Sequence, residues 1–340
     1  MKLIRNIVSV SCVFTILISV FCMSASAITF SEGDFGFEIN TYLKTSSLVE
    51  YTGKSKVVQI PSGYSNYKLT SIKKSAFNGN STAEAFNIPT TVTTLDSEAF
   101  YGCSALKSIT ILPNITSYGV SLFQNCTSLE SASVLSENTK LPNSIFRNCS
   151  SLTDINLSEK INTLGSNAFA DCVSLKEAPF LSQISVIGEF AFYNTGLEKI
   201  TLSDSVKTIP AYAFANCENL SYAVIPASVT SIDNSAFYND ANIILGVYKN
   251  SYALQYAEEN QIDHIILDGD KIGDVNGDGV VDILDATEIQ KYAAESADFT
   301  DEQFELGDIN KDGYCDVIDA LLVQKSVIGA YELPQNIIRY

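Results

Sequence analysis

The apolar positions of this chain recur at a fixed interval. Phe77, Phe100, Phe123, Phe146, Phe169, Phe192, Phe214 and Phe237 stand 23, 23, 23, 23, 23, 22 and 23 residues apart. Five residues before each comes Ile72, Leu95, Tyr118, Leu141, Leu164, Ile187, Ile209 or Ile232. Three residues after each comes Asn80, Cys103, Cys126, Cys149, Cys172, Thr195, Cys217 or Asp240. Where that residue is cysteine, a leucine follows at the next third position: Leu106, Leu129, Leu152, Leu175 and Leu220. A short alternating segment such as Leu106 to Ile111 (LKSITI) closes the unit, with the period of a strand that buries one face. A unit this short cannot bury its own apolar side, so the units must stack. The pattern predicts a mainly β solenoid of eight repeats of about 23 residues over residues 60–245. Equivalent residues in successive turns then lie about 4.8 Å apart, the spacing of paired strands.

Stacking turns each recurring position into a ladder. The phenylalanines form one and the cysteines a second, and the leucines and isoleucines form the walls. The ladder cysteines read best as small buried hydrophobes with free thiols. Stacked disulfides are the rival reading, but bridging needs particular Cβ directions at every pair, and an odd number of cysteines would leave one over. The unit is best seen at Ile88-Pro89, Val92-Thr93, Ala99-Phe100, Cys103, Leu106 and Ile109. It resembles the BspA-like bacterial leucine-rich repeat, and the likeness runs from about Ile60 to Leu245. Residues 28–59, with alternation such as Phe35 to Ile39, are expected to form strands capping one end. Residues 246–267, with an amphipathic stretch from Val247 to Asn260, are expected to cap the other through a short helix.

A different pattern begins near residue 268. GDVNGDGVVDILDA returns thirty-four residues later as GDINKDGYCDVIDA. Counted from its first aspartate, each copy places oxygen-bearing residues at one, three, five, nine and twelve, with glycine at six. These are Asp274, Asn276, Asp278, Asp282 and Asp285 with Gly279, and Asp308, Asn310, Asp312, Asp316 and Asp319 with Gly313. That is the spacing of a calcium loop, completed by the carbonyl at position seven, Val280 or Tyr314. Position nine acts through water, and Val281 and Cys315 at position eight face inward. Packed carboxylates repel one another unless a cation sits among them, so two calcium ions are expected. Helices are expected over residues 286–294 and 320–328, and Thr300 to Gln303 fits a capping box that opens a short third helix.

Position twelve is Asp rather than Glu, and no helix of its own precedes the first loop. In this respect residues 271–332 resemble a type I dockerin, and 268–340 form the expected small all-α calcium-binding domain. The resemblance implies a cohesin domain on a scaffold protein as partner. It also implies contacts at loop positions ten and eleven and six or seven residues further on. These are Ile283, Leu284, Gln290 and Lys291 in the first copy, and Val317, Ile318, Gln324 and Lys325 in the second. Their near-symmetry implies docking in either of two orientations. In well-known members the ten–eleven pair bears hydroxyls, whereas here it is apolar, which leaves the particular cohesin open. Ile283 and Val317 also have a purely structural reading, as packing between the helices.

Composition narrows the remaining possibilities. The net charge is −18, and residues 268–340 hold seventeen acids against five bases, so −12 of it lies there. Nucleic acid, which needs a basic surface, is excluded as a partner. Lys2 and Arg5, the apolar run from Ile7 to Met23 and the small residues Ser24 to Ala27 read as a signal peptide cleaved after Ala27. Cys22 lacks the small preceding residue of a lipoprotein signal. No later stretch is long and apolar enough to span a bilayer. The expected product is secreted, without membrane insertion, and associated with a scaffold or cell surface through the dockerin.

Dockerin proteins are usually polysaccharide-degrading enzymes, but these residues do not supply the chemistry. The sole histidine, His264, stands beside an apolar run, and no Ser/His or Cys/His pair is available. A glycosidase needs two carboxylates about 5–10 Å apart. Asp154 and Glu177, equivalent residues one repeat apart, are the nearest candidates, yet Lys176 and Lys199 make a solvated mixed-charge face the better reading. Sugar platforms usually present aromatic rings, and the strand-face rows hold only Tyr222. Tyr51, Tyr64, Tyr67, Tyr248 and Tyr252 in the caps are further candidates. The chain therefore reads as a noncatalytic recognition or adhesion component of a cellulosome-like complex. The expected solenoid ligand is a protein, with polysaccharide as the second choice. A carbohydrate-binding or glycoside hydrolase component and a rigid spacer are the alternatives.

Overall fold

The computed structural model describes residues 29–267, 271–277 and 280–333. The signal-peptide reading, Asp268, Asp278 and Gly279 lie outside the described residues. Within them the chain folds as a β solenoid of about 10 turns of ~23 residues, followed by a small helical region.

The main column of parallel strands runs through Val57–Gln59, Ala85–Asn87, Ser108–Ile111, Ser131–Val134 and Asp154–Leu157. It resumes at Lys199–Thr201, Tyr222–Val224, Ile244–Val247 and His264–Ile266. The register keeps equivalent residues opposite one another, with Ser131 between Ser108 and Asp154, and Lys199 against Tyr222. On the other side of each turn a shorter row pairs Tyr67–Ile72 with Thr94–Leu95, and Thr94–Leu95 with Ser117–Tyr118. Two more pairs follow in that row, Lys140–Leu141 with Thr163–Leu164 and Thr208–Ile209 with Ser231–Ile232.

Between the two rows the phenylalanines stack as one column. Neighbouring ring centroids are 5.0 to 5.7 Å apart, and their planes are within 21° of parallel. Tyr51 ends the column on Phe77 at 5.4 Å, and Tyr256 ends it beyond Phe237 at 6.5 Å. The cysteines are free and buried, which agrees with the thiol reading. Each Sγ donates to the carbonyl of the phenylalanine in the preceding turn. Cys103 reaches Phe77, Cys126 reaches Phe100 and Cys149 reaches Phe123, each at 3.2 Å. Burial pushes the Cys172 and Cys217 thiols well up, the latter to about 12, so they stay protonated as donors.

The backbone reverses at residues in the left-handed region on either side of each phenylalanine from Phe77 to Phe214, and after Phe237 at Asn239. In the turn of Phe123 these are Ser121 (φ 55°) and Asn125 (φ 63°). Gly79 and Gly102 take the place of Asn125 in earlier turns. The asparagines at this corner add a polar ladder: Asn148 Nδ2 donates to Asn125 Oδ1 at 2.9 Å, and Asn239 Nδ2 to Asn216 Oδ1 at 2.9 Å.

The stack departs from expectation at three places. It has about 10 turns rather than eight, because the first and last lack the phenylalanine signature. The turn between Asp154–Leu157 and Lys199–Thr201 forms no strand, since Pro179 opens a 3-10 helix over Pro179–Gln183. Proline has no N–H for the ladder. Phe180 turns inward there and packs on Phe169 at 5.4 Å and Phe192 at 6.2 Å. Finally, the C-terminal helix α1, Tyr252–Glu259, does not close the sheet by itself. Its N-cap Ser251 accepts from Leu254 N–H, and the chain then returns as His264–Ile266, which pairs with Ile244–Val247 as the outermost strand. The expected apolar run beside His264 is thus a strand of the solenoid. At the N-terminal end, Thr29–Glu32, Phe35–Asn40 and Thr45–Tyr51 form an antiparallel cap, and the last of them joins Tyr67–Ile72 in parallel.

The remaining helices are α2 (Ile283–Ala293), α3 (Asp301–Gly307) and α4 (Val317–Val327). They enclose a second, separate apolar cluster around Ile272, Val275, Ile289, Leu306, Ile309 and Val323. Helices α2 and α4 begin three residues before the expected starts. Asp282 and Asp316, at loop position nine, are N-caps, and the position-twelve aspartates sit at N3 in a reciprocal capping box. Helix α3 starts as expected, with Thr300 and Gln303 forming its box.

Candidate functional site

The two acidic loops are built alike. In the first, Asn276 N–H donates to Asp285 Oδ1 at 3.2 Å and Asp282 N–H to Asp285 Oδ2 at 2.8 Å. In the second, Asn310 N–H donates to Asp319 Oδ1 at 3.2 Å and Asp316 N–H to Asp319 Oδ2 at 2.9 Å. Ile309 N–H adds a further bond to Asp319 Oδ1 at 2.9 Å. The first aspartate closes each turn. Gly277 N–H donates to Asp274 Oδ1 at 2.9 Å, and Asp312 and Gly313 N–H donate to Asp308 Oδ1 and Oδ2 at 3.1 and 3.0 Å. Asn310 Nδ2 reaches Asp312 Oδ2 at 3.0 Å, and Tyr314 N–H reaches Asp312 Oδ1 at 3.0 Å.

Asp285 and Asp319 are both 0% exposed. Burial pushes the Asp319 carboxyl above its usual range, against the pull of the Asp316, Asn310 and Ile309 N–H groups. The carboxylates are turned onto backbone donors. Among the described residues no three or more of His, Cys, Asp and Glu gather into a group that could hold a metal. Four of the twelve expected ligand positions are amide or carbonyl oxygens (Asn276, Val280, Asn310, Tyr314), and Asp278 lies outside the described residues. The donor set is nonetheless oxygen throughout, with carboxylates held at the loop faces. That chemistry fits a hard divalent cation and does not fit zinc or copper.

Val281 and Cys315 pack inward as expected, the first partly and the second fully buried. Ile283, Leu284, Val317 and Ile318 are 53, 57, 63 and 51% exposed, so Ile283 and Val317 do not pack between the helices. Gln290, Lys291 and Lys325 are exposed and Gln324 is half-buried. Helix α4 also exposes Leu321 and, at its C-cap, Ile328, which the sequence reading passed over. At 100° per residue Val317, Ile318, Leu321, Lys325 and Ile328 share one face, opposite the buried Asp319, Ala320 and Val323. That helical period is the signal that could have found them.

On the solenoid, the strand face carries paired charges rather than a gathered catalytic group. Lys176 Nζ lies 3.0 Å from Glu198 Oε1, and Glu84 is shared by Lys56 at 2.8 Å and Lys107 at 3.8 Å. Asp154 is on a strand, whereas Glu177 stands in the strandless turn before Pro179. A groove of about 560 Å³ opens at that turn, lined by Lys176, Glu177, Pro179, Glu198, Lys199 and Tyr222. Of the cap tyrosines, Tyr51 packs on Phe35 and Phe77, and Tyr64 on Phe30 and Phe37, so these two belong to the cap core. No helix of the described residues is long and apolar enough to cross a membrane.

Comparison with known proteins agrees with both regions. The family described as BspA type leucine rich repeat region matches residues 70–195 and 139–253, and the dockerin type I domain matches residues 272–328. No curated protein matches the chain. Among solved structures, a leucine-rich repeat protein from Bacteroides ovatus is 23% identical, over 64% of this chain and 70% of that one, with a TM-score of 0.48. A leucine-rich repeat protein from Eubacterium ventriosum is 31% identical, over 63% of this chain and 50% of that one, with a TM-score of 0.46. A leucine rich cell surface protein from Faecalibacterium prausnitzii is 20% identical, over 69% of this chain and 98% of that one, with a TM-score of 0.35.

Proposed function

From a chain that belongs to the BspA type leucine-rich repeat family and carries a dockerin type I domain, we infer a secreted, noncatalytic recognition component that docks on a cohesin-bearing scaffold. The observation that carries this reading is the doubled loop–helix unit. Each copy presents an exposed apolar pair at the start of its helix, Ile283-Leu284 and Val317-Ile318, beside an exposed lysine. A dockerin implies a cohesin partner. It also typically binds calcium, and here each loop takes one ion. The first ion is held by Asp274, Asn276, Asp278, Val280 carbonyl, Asp282 and Asp285, and the second by Asp308, Asn310, Asp312, Tyr314 carbonyl, Asp316 and Asp319. The division of labour follows the division of the chain. After a leader ending at residue 27 and the cap strands of 28–59, residues 60–245 recognise and 246–267 close the stack. Residues 268–340 anchor.

Both identified modules are noncatalytic, and the paired charges of the strand face support recognition over hydrolysis. A complex that degrades polysaccharide is the setting in which such an anchor works. The test is capture of the secreted chain by an immobilised panel of type I cohesins. Binding to at least one cohesin in calcium, lost on chelation, is expected. Capture by none would overturn the cohesin reading, and capture that survives chelation would overturn the role of calcium.

One observation favours a second reading for the solenoid. The groove at the strandless turn presents Tyr222, and a Cβ built on Gly246 would meet the Tyr222 hydroxyl, so this ring lies over the glycine of the next turn. An aromatic ring laid along a sheet, with lysines and carboxylates beside it, suits a sugar chain. Depletion of the chain from solution by insoluble plant polysaccharide, reduced by Tyr222→Ala, would assign the solenoid to carbohydrate. No depletion leaves a protein ligand.

A further inference from the structure

The two halves of the docking region are related by a shift of thirty-four residues, yet their outer faces differ. Copy one presents Ile283, Leu284, Thr287, Lys291 and Ala294. Copy two presents Val317, Ile318, Leu321, Lys325 and Ile328 at the same places. The starts of the helices match in chemistry. One turn on, Thr287 is polar and its Oγ1 is occupied by a 2.8 Å bond to Ile283 carbonyl, whereas Leu321 is 46% exposed. At the C-caps, Ala294 stands opposite Ile328, which is 77% exposed. The apolar strip of copy one therefore stops after its first turn, and that of copy two continues through Leu321 and resumes at Ile328 beyond Lys325.

The lysines differ as well. Lys291 Nζ is held 2.6 Å from Glu288 on its own helix. The residue equivalent to Glu288 in copy two is Leu322, and Lys325 makes no ion pair among the described residues. Lys325 thus meets a partner's carboxylate without first giving up one of its own, while Lys291 must exchange partners, which offsets most of the gain. Exposed apolar residues gathered on one helix face with a charge beside them are the anatomy of a protein interface, whose centre carries most of the binding energy.

We propose that the chain docks in one orientation, with helix α4 as the dominant contact: Val317, Ile318, Leu321 and Ile328 fill an apolar patch on the cohesin, and Lys325 pairs with an acid at its rim. This rests on the cohesin reading above. It replaces the two equivalent orientations that near-symmetry implied by one, because a half-turn would set Thr287 and Ala294 where Leu321 and Ile328 belong. The complementary cohesin face is apolar at its centre and acidic at its edge.

The test is a calorimetric titration of a bound cohesin from the panel into three forms of the full chain in calcium. They are the unaltered chain, Val317→Ser with Ile318→Ser, and Ile283→Ser with Leu284→Ser. All four substituted residues are exposed, and unchanged far-UV dichroism checks that each form is folded. The second-copy pair is expected to lose about a hundredfold or more in affinity, the range of a hot-spot cluster, and the first-copy pair less than about threefold. Lys325→Glu is expected to weaken binding where Lys291→Glu does not. Equal losses from the two pairs, or no loss from either, overturn the single orientation and leave cohesin docking standing. Failure of the unaltered chain to bind any cohesin overturns the underlying reading instead. Self-association of the chain that Val317→Ser with Ile318→Ser abolishes would assign the patch to a second copy and overturn the proposal.

Discussion

The solenoid and the docking region solve the same problem with opposite means. The solenoid buries a column of eight phenylalanines and walls of leucine and isoleucine, and its buried polar positions are mostly hydroxyls and thiols with partners. The docking region has a core of small extent, built from residues such as Ile272, Ile289 and Val323, and it buries two complete carboxylates, Asp285 and Asp319, within it. Apolar burial sustains the first without help. The second buries carboxylates that are met by backbone N–H donors and whose burial costs several kcal/mol each where compensation is incomplete, and on the proposed calcium reading its folding is coupled to the cation. On the proposed reading, repetition yields independence from ligand in one region, and a doubled acidic loop yields dependence on ligand in the other.

The comparison breaks most visibly at the position-twelve aspartates. Asp285→Ala together with Asp319→Ala is expected to abolish the folding transition of the docking region even in calcium, with the solenoid transition unchanged in differential scanning calorimetry. Next in size is the phenylalanine column. Phe146→Ala leaves a cavity between Phe123 and Phe169 and is expected to cost about 3–5 kcal/mol of solenoid stability, read from urea unfolding. A smaller effect, of opposite sign, is expected at Asp240, which stands where the inner turns have cysteine. Its Oδ1 accepts from Cys217 N–H at 2.7 Å, but its Oδ2 is buried with no partner, and burial pushes the carboxyl to about 8. Asp240→Cys is expected to stabilise the solenoid by about 1–3 kcal/mol at pH 8.

The pH dependence sharpens that third case. The folded carboxyl binds its proton more tightly than the unfolded one, whose ordinary value is 3.8. Its contribution is fully present below that value, falls as pH rises between 3.8 and about 8, and is gone above. Urea midpoints measured across that window should therefore fall with pH, and Asp240→Cys should flatten the fall. The smallest effect is expected at the surface. Lys176→Ala removes a 3.0 Å pair with Glu198 whose side chains are both more than half exposed, and it should cost under about 1 kcal/mol.

The repeat was legible because each ladder residue must match its neighbours above and below, so the period is written in side chains that cannot vary independently. Where that constraint ends, so did the legibility. Tyr51 and Tyr256 finish the phenylalanine column from a cap strand and a helix, outside the period, and the strand at His264–Ile266 has only half-buried residues to mark it. The strandless turn at Pro179 had a local signal in the missing N–H, and Phe180 keeps the 23-residue register of the buried Ile111, Val134 and Leu157, so its burial was written in the period although its stacking on Phe169 and Phe192 was not. The left-handed corners after each phenylalanine fall on glycine, asparagine and aspartate, which favour that conformation, whereas those before it include serine, Tyr212 and Phe190, which only the stacking sets there. In the docking region the loop spacing was plain in the sequence, since a calcium loop sets its oxygen-bearing residues and its glycine at fixed places. The helix starts were displaced by three residues because position nine doubles as the N-cap, a capping box that the ligand pattern concealed. Leu321 and Ile328 stand at helical spacing from Val317 in the sequence, and the buried side of helix α4 shows that this face is the exposed one.

Amide hydrogen exchange on the full chain, followed by mass spectrometry in calcium and again after chelation, tests the central contrast most directly. The account predicts that peptides from residues 272–328 lose protection on chelation while those from 57–247 keep it unchanged. Protection retained across 272–328 without calcium, or lost across both regions together, would contradict it.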